Sequence, residues 1–336
     1  MRIMLNNYSY PGLVRALEDM GHEVLGKTTG PDEFNWWHHL INLGRSNEEY
    51  DVILRSQIEE HRPDVYLCGK GWHFSKMISP ETTEWVRERV GCTLYWSLDD
   101  PDFMQTFSEL EMWRGYDVAL TCCGECVRQY EEMGLEAHLF WPAWDQEARE
   151  PVVEVPEDKR FADFLIVGTP YAHTVPARRD VAKAVSELGV DLWLYGPDSW
   201  VKQEHGGYSS LWKHYHGYWK EWGRVHDLFA GARVNFSNHV RRAEDYLNDR
   251  VPMVMGVGGV LFLDRQPDLD KWFVDGEEVV FFDDLKDLVS KLMYYLPRPD
   301  ERARIGRAAR EKTLSAHTYR HRAEQLLDIL AARGLK

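Results

Sequence analysis

Asn248, Asp249 and Arg250, followed by Val251 and Pro252, combine the residue types of an anion site. An Asn or Asp caps a helix, and a proline is tolerated only in a helix's first turn. The run therefore predicts a helix starting near Arg250, with the backbone N–H groups of Asn248 to Val251 free at its head. A helix head beside an arginine suits a phosphate or diphosphate. Upstream, a short apolar strand turns polar through Ser237, Asn238 and His239. Downstream, Gly258 and Gly259 lead into a strand that ends in a carboxylate, Asp264. The same pattern also fits a plain helix-to-strand corner whose glycines only supply a left-handed turn.

Other residues carry weaker signals. Arg178 and Arg179 fall in the first turn of a helix, after a loop that holds Tyr171 and His173. A cation there opposes the helix dipole, which hints at a bound anion. Asp99 and Asp100 end a strand; one of the pair serves as a general base, its pKa raised by burial and repulsion, or both belong to a turn before Pro101. Successive strand residues point to opposite faces, so only one of the two faces a cleft. Lys70 and His73 lie in a loop at a strand's carboxyl end, where ligands of open α/β sheets collect, and a solvated loop is the plainer reading. From His205 to His226 aromatic and basic residues alternate, Tyr218 and Trp219 among them. Stacking on a nucleobase or sugar ring is natural chemistry for such a segment, and a single-strand nucleic-acid platform looks similar. Trp36, Trp37, His38 and His39 reach over an acceptor or pack on their own domain. Neither the His214/His216 pair nor Cys123 and Cys126 has partners at ligand spacing, so no metal site is expected.

The elements that must position these residues repeat. Arg2 to Leu5, Leu13 to Met20 and His22 to Leu25 form a β-loop-α-β opening. A second opening runs through Phe164 to Val167, Ala177 to Leu188 and Val190 to Tyr195. Two such openings in one chain indicate two similar α/β domains facing one another. The expected boundaries are 1–150, a linker near Pro142 to Arg160, 160–316, and a C-terminal helix over 317–336. A G-x-G-x-x-G pattern is absent, which argues against a dinucleotide cofactor.

Composition narrows the partners. The 336 residues suffice for two domains with their own cores, and a formal charge of −15 argues against binding a nucleic acid mainly through its phosphates. No apolar run reaches the roughly 20 residues of a membrane helix, and Met1 to Asn6 reads as a strand rather than a signal peptide. Five cysteines, an odd number, suit a reducing compartment, so a cytoplasmic protein is expected.

Several segments resemble the carboxyl-terminal domain of bacterial spore-maturation-type glycosyltransferases, in the wider GT-B group related to family 1 and family 4 enzymes. They are Phe273 to Glu277 (FVDGE), Phe282 to Leu285 (FDDL), Lys291 to Leu296 (KLMYYL), Arg302 to Gly306 (RARIG) and His317 to Arg322 (HTYRHR). Gly168 with Arg178, Trp193 to Gly196, His216-Gly217 and Arg250 to Gly259 follow the family's order, so the likeness covers most of Phe164 to Leu330. The resemblance implies an α/β fold of two Rossmann-like domains facing across a cleft. It implies a hexosyltransferase-class enzyme with a nucleoside diphosphate sugar, UDP-sugar foremost, held chiefly by the second domain, and no cofactor or essential metal. Arg178, Arg250 and the Asn248–Val251 backbone would neutralise the diphosphate, with Gly168, Tyr171, Asn238, Gly258 and Gly259 around the donor. Tyr218 or Trp219 would stack on the base, and Asp264 would meet the donor sugar. Asp100 or Asp99, less readily His73, would take the acceptor proton of an inverting reaction. The acceptor would be a glycan, a small molecule or a hydroxylated DNA base. One departure stands out: Met253 occupies a place where the family often has a glutamate that binds the ribose hydroxyls, and a thioether is no bidentate acceptor. Glu244, Asp245 or Asp249 takes over, or the donor is unusual, or activity is lost. The last case leaves a non-catalytic nucleotide- or glycan-binding module.

Overall fold

The computed structural model describes residues 1–6, 11–25, 46–69, 78–145, 155–205, 207–219 and 225–336. They divide into two compact units, Met1–Asp145 with Tyr319–Lys336, and Gln146–Thr318.

In the first unit strands and helices alternate: β1 (Arg2–Asn6), α1 (Pro11–Asp19), β2 (Glu23–Leu25), α2 (Asn47–His61), β3 (Val65–Gly69), α3 (Pro80–Arg87), β4 (Cys92–Ser97), α4 (Met104–Glu109), β5 (Val118–Thr121), α5 (Gly124–Glu132) and β6 (Glu136–Leu139). The six strands form one parallel sheet in the order β2-β1-β3-β4-β5-β6. Every residue of β3, β4 and β5 is buried, the pattern of strands covered on both faces. Local chemistry sets the helix ends. At α2 the Ser46 hydroxyl accepts from the Glu49 N–H while the Glu49 carboxylate accepts from the Ser46 N–H, and Arg62 closes the helix in the left-handed conformation before Pro63.

The chain's last helix, α11 (Tyr319–Ala332), belongs to this unit. Its buried face, Tyr319, Ala323, Leu326 and Leu330, joins the core formed by β1 and α1. Arg322 donates from Nε to the Trp141 carbonyl (2.7 Å) and Gln325 to that of Leu139 (2.8 Å). Burial pulls the Arg322 pKa down to about 10. The segment set off from sequence as 317–336 is therefore an integral layer of the first unit.

The second unit contains β7 (Ala162–Val167), α6 (Arg178–Ser186), β8 (Leu192–Tyr195), α7 (Val225–Gly231), β9 (Ala232–Ser237), α8 (Arg250–Gly256), β10 (Leu261–Asp264), β11 (Val280–Phe282), α9 (Leu285–Tyr295) and α10 (Pro299–Ala316). Its parallel sheet runs β11-β10-β9-β7-β8. Counted within the unit this is the doubly wound order 2-1-3-4-5, whose direction reverses between β7 and β9. Ligands of such sheets bind beyond the carboxyl ends of the two strands at that switch point. Among the described residues no helix is long and apolar enough to cross a membrane.

Candidate anion site at the switch point of the second unit

Gly168 follows β7 and Asn238 follows β9, so both emerge at the switch point. Arg178, the first residue of α6, reaches across to Asn238. Its Nε donates to Asn238 Oδ1 (2.7 Å), one terminal nitrogen to the Asn238 carbonyl (2.8 Å) and the other to the Thr169 carbonyl (3.1 Å), with Tyr171 facing the guanidinium 5.3 Å away. These acceptors are neutral, and no described carboxylate comes within 4 Å of this group. Burial, and next the charge of Arg250, pull its pKa down to about 9, so it is a cation at neutral pH held against desolvation and a like charge.

Arg250 is the other cation. Its Nε donates to Ser237 Oγ (3.2 Å) at the end of β9, and the nearest described carboxylate, Asp249, is 4.0 Å away and half exposed. Gly168 lies beside both. A Cβ added to it would stand 3.4 Å from an Arg178 terminal nitrogen and 3.6 Å from one of Arg250. Two guanidinium groups, with no described carboxylate closer than the 4.0 Å of Asp249, thus flank a backbone position that has no side chain. Paired phosphate oxygens match that donor set, because guanidinium forks bind phosphate in a bidentate manner.

The helix head itself is not free. The expectation that the amides of Asn248 to Val251 await an anion fails because three of them are engaged locally. Asn248 N–H donates to His239 Nε2 (3.3 Å), Arg250 N–H to Asn248 Oδ1 (3.1 Å) and Val251 N–H to the Asn248 carbonyl (3.2 Å). The cations carry the site. Gly258 and Gly259 are likewise packing residues: Gly258 ends α8 at φ 72° against Gly306 of α10, and a Cβ on Gly259 would strike Asn235 and Val254.

Asp264 ends β10 but is turned inward. Its oxygens accept from His239 N–H (3.1 and 3.2 Å), from His239 Nδ1 (2.7 Å) and from the Gln266 amide, and it is 6% exposed. A carboxylate so occupied cannot also hold the hydroxyls of a donor sugar. The residue that sequence reasoning passed over is His239, which links Asp264 to Asn248; its position in a polar run after a strand was the only signal.

Asp100 is also internal. It is 1% exposed and accepts from Thr121 Oγ1 (2.7 Å) and Tyr130 OH (3.0 Å), so it has no access to an acceptor proton. Asp100→Ala would leave two buried hydroxyls short of a partner, at about 1–3 kcal/mol each. The expected outcome is a clear fall in thermal midpoint with UDP affinity retained, and a calorimetric titration that lost UDP binding would return Asp100 to the site. Asp99 is partly exposed; His73 and Lys70 lie outside the described residues, as do Trp36, Trp37, His38 and His39. All five cysteines are buried and unbridged, with the Cys126 thiol pushed up by its hydrogen bond to Cys123 and by burial.

An aromatic surface adjoins the arginines. Gly168 N–H donates to the Tyr195 carbonyl, Trp200 Nε1 to the Gly168 carbonyl, and Gly196 N–H to the Gly217 carbonyl, all at 2.9 Å. These bonds bring the Tyr218 loop alongside β8. Trp219 meets Tyr195 edge to face at 5.6 Å, while Tyr218 is 58% exposed. Met253 is half-buried on α8. Of its acidic neighbours, Asp245 accepts from Trp272 Nε1 (2.8 Å), and the Asp249 side chain is about half exposed.

Comparison with known proteins gives the fold its name. A family model described as "Glycosyl transferase-like" matches residues 178–328. No curated protein matches the chain by sequence. Among solved structures, sucrose-phosphate synthase from Thermosynechococcus elongatus superposes with a TM-score of 0.69 at 11% identity, over 99% of this chain and 98% of that one. HepE of Anabaena, in complex with UDP and glucose, gives 0.64 at 10% identity over 99% and 100%. An α,α-trehalose-phosphate synthase (UDP-forming) from Burkholderia vietnamiensis gives 0.64 at 12% identity over 98% and 99%. The fold is that of GT-B glycosyltransferases, and most of the glycosyl transferase-like match lies in the second unit, its last ten residues falling in α11.

Proposed function

We propose that the chain is a glycosyltransferase that moves a sugar from a nucleoside diphosphate sugar, UDP-sugar foremost, to an acceptor hydroxyl. The observation that carries the reading is the pair Arg178 and Arg250 flanking Gly168 at the switch point, with no carboxylate among the described residues nearer than Asp249. Breaking the bond from a sugar to a nucleoside diphosphate builds negative charge on the departing β-phosphate. Fixed cations in a partly desolvated niche stabilise that charge without reorganising. The Trp219 ring, set edge to face against the buried Tyr195, supplies an aromatic face beside the niche for the base. The solved relatives named above include one bound to UDP and glucose and one described as UDP-forming, which supports UDP as the nucleotide.

The decisive experiment is isothermal titration with UDP, UDP-glucose and GDP, followed by incubation of labelled donor with glycans, small alcohols and DNA bearing a hydroxylated base. UDP binding and transfer to one acceptor class are expected. A folded chain that binds none of the nucleotides would make the reading untenable. Met253 favours one second reading, a nucleotide-binding module without turnover, because the half-buried thioether on α8 cannot hold ribose hydroxyls. Donor binding with neither transfer nor hydrolysis across the panel selects it.

A further inference from the structure

A buried polar chain runs from Asp264 through His239 and Asn248 to Arg250. Asp264 accepts from His239 Nδ1 (2.7 Å), and His239 Nε2 accepts the Asn248 N–H (3.3 Å). These partners place the His239 proton on Nδ1 and leave Nε2 with its lone pair. Asn248 Oδ1 in turn accepts from Ser237 Oγ (3.1 Å) and from the Arg250 N–H (3.1 Å), and Ser237 Oγ accepts Arg250 Nε (3.2 Å). The His239 side chain is fully buried, and Ser237, His239, Asn248 and Asp264 are each at most 8% exposed. Tyr246 covers the imidazole, with ring centroids 4.5 Å apart.

We propose that Asp264 and His239 are positioning residues that aim the Arg250 guanidinium. The inference rests on the reading of a diphosphate at Arg178 and Arg250. Asp264 sits at the end of one strand and His239 just past the end of its neighbour, so the pair ties the loop before α8 to the sheet. With His239 in that tautomer the Asn248 backbone is drawn to it, and the Asn248 side chain is left to hold both the Arg250 amide and the Ser237 hydroxyl. That hydroxyl then orients the guanidinium. Removing the imidazole frees the loop and lets Arg250 swing, so the loss falls on phosphate recognition and passes through Arg250.

The test is a double-mutant cycle read by titration with UDP, with uridine as a probe that lacks phosphate. His239→Ala is expected to weaken UDP binding about tenfold, within the range of coupled neighbours, and to leave uridine binding unchanged. In an Arg250→Ala background the same change costs less than about twofold, because an arginine already absent cannot be misaimed. His239→Gln recovers most of the affinity, since its side-chain carbonyl can take the Asn248 N–H. Should His239→Ala not fold, Ser237→Ala serves the same cycle, as it removes the last link of the chain, the acceptor of Arg250 Nε that also donates to Asn248 Oδ1. Additive losses, an equal loss for uridine, or wild-type affinity in His239→Ala overturns the positioning role alone. A wild-type chain that ignores UDP overturns the diphosphate reading and this inference with it.

Discussion

Arg250→Ala lowers UDP affinity by about 100-fold, roughly 2.7 kcal/mol, while Arg242→Ala leaves it within about twofold. Both changes remove one positive charge at nearly the same place in the sequence, so net charge cannot separate them. Arg242 is exposed, and a solvated cation contributes little to binding. Arg250 is held at Nε by Ser237, with its guanidinium largely shielded beside Gly168. Truncating one partner of a hydrogen-bonded, partly buried charge pair typically costs about 2–5 kcal/mol. Isothermal titration of the two variants at one salt concentration decides the matter, and equal losses would reject the placement of the phosphate. If turnover is measurable, the loss appears in kcat as well, since the cation opposes charge that grows on the leaving group.

The parts of this molecule that could be read from its sequence are those governed by neighbours along the chain. The helix Asn47 to His61 is written in its own sequence, because Ser46 and Glu49 cap it and Arg62-Pro63 ends it. α8 starts at Arg250 as its sequence suggests, with Asn248 Oδ1 taking the Arg250 N–H and Pro252 in the first turn, although Asp249 makes no cap hydrogen bond. The two parallel sheets followed from repeated β-loop-α-β openings. The site depends on other distances. Arg178 meets Asn238 sixty residues away, and His239 meets Asp264 twenty-five away, only because β7 and β10 both pair with β9. No local signal carries that adjacency.

The same limit explains which expectations failed. Strand alternation does not govern Asp99 and Asp100, because β4 stops at Ser97 and both lie in the turn before Pro101; Thr121 and Tyr130 of β5 and α5 hold Asp100 inward. A carboxylate at the end of β10 suggested a substrate contact, yet His239 and Gln266 occupy it from within. The free amides expected at the head of α8 were lost to Asn248, whose side chain and carbonyl serve donors that an uncapped helix would have left open. The sequence sets 317–336 apart as a helix, but the partner it packs on, α1, is about three hundred residues upstream.

Gly168→Ala removes UDP binding while the chain still folds, an effect as large as that of Arg250→Ala but of opposite origin, since it adds an atom instead of taking a charge away. The residue's φ of 139° is one that side chains bearing a Cβ rarely adopt, and forcing such a residue into it costs about 1–3 kcal/mol. The new Cβ meets its nearest heavy atoms at 3.4 and 3.6 Å, ordinary contact distances, so the unliganded protein can accommodate it. Those atoms are the terminal nitrogens of Arg178 and Arg250, however, and the methyl occupies the space between them that phosphate oxygens need. Gly189→Ala is the matched control. Its φ of 74° lies by the left-handed region, where alanine is strained too though less than at 139°, and nothing lies within 4 Å of the added carbon. Thermal melts of both variants, each with and without UDP, separate strain from obstruction. At a ligand concentration one hundred times the wild-type Kd, binding adds about 2.7 kcal/mol of stability. Gly189→Ala is expected to melt lower than wild type and keep that increment. Gly168→Ala is expected to melt lower and lose it, and a full UDP-induced shift in Gly168→Ala would move the diphosphate away from the two arginines.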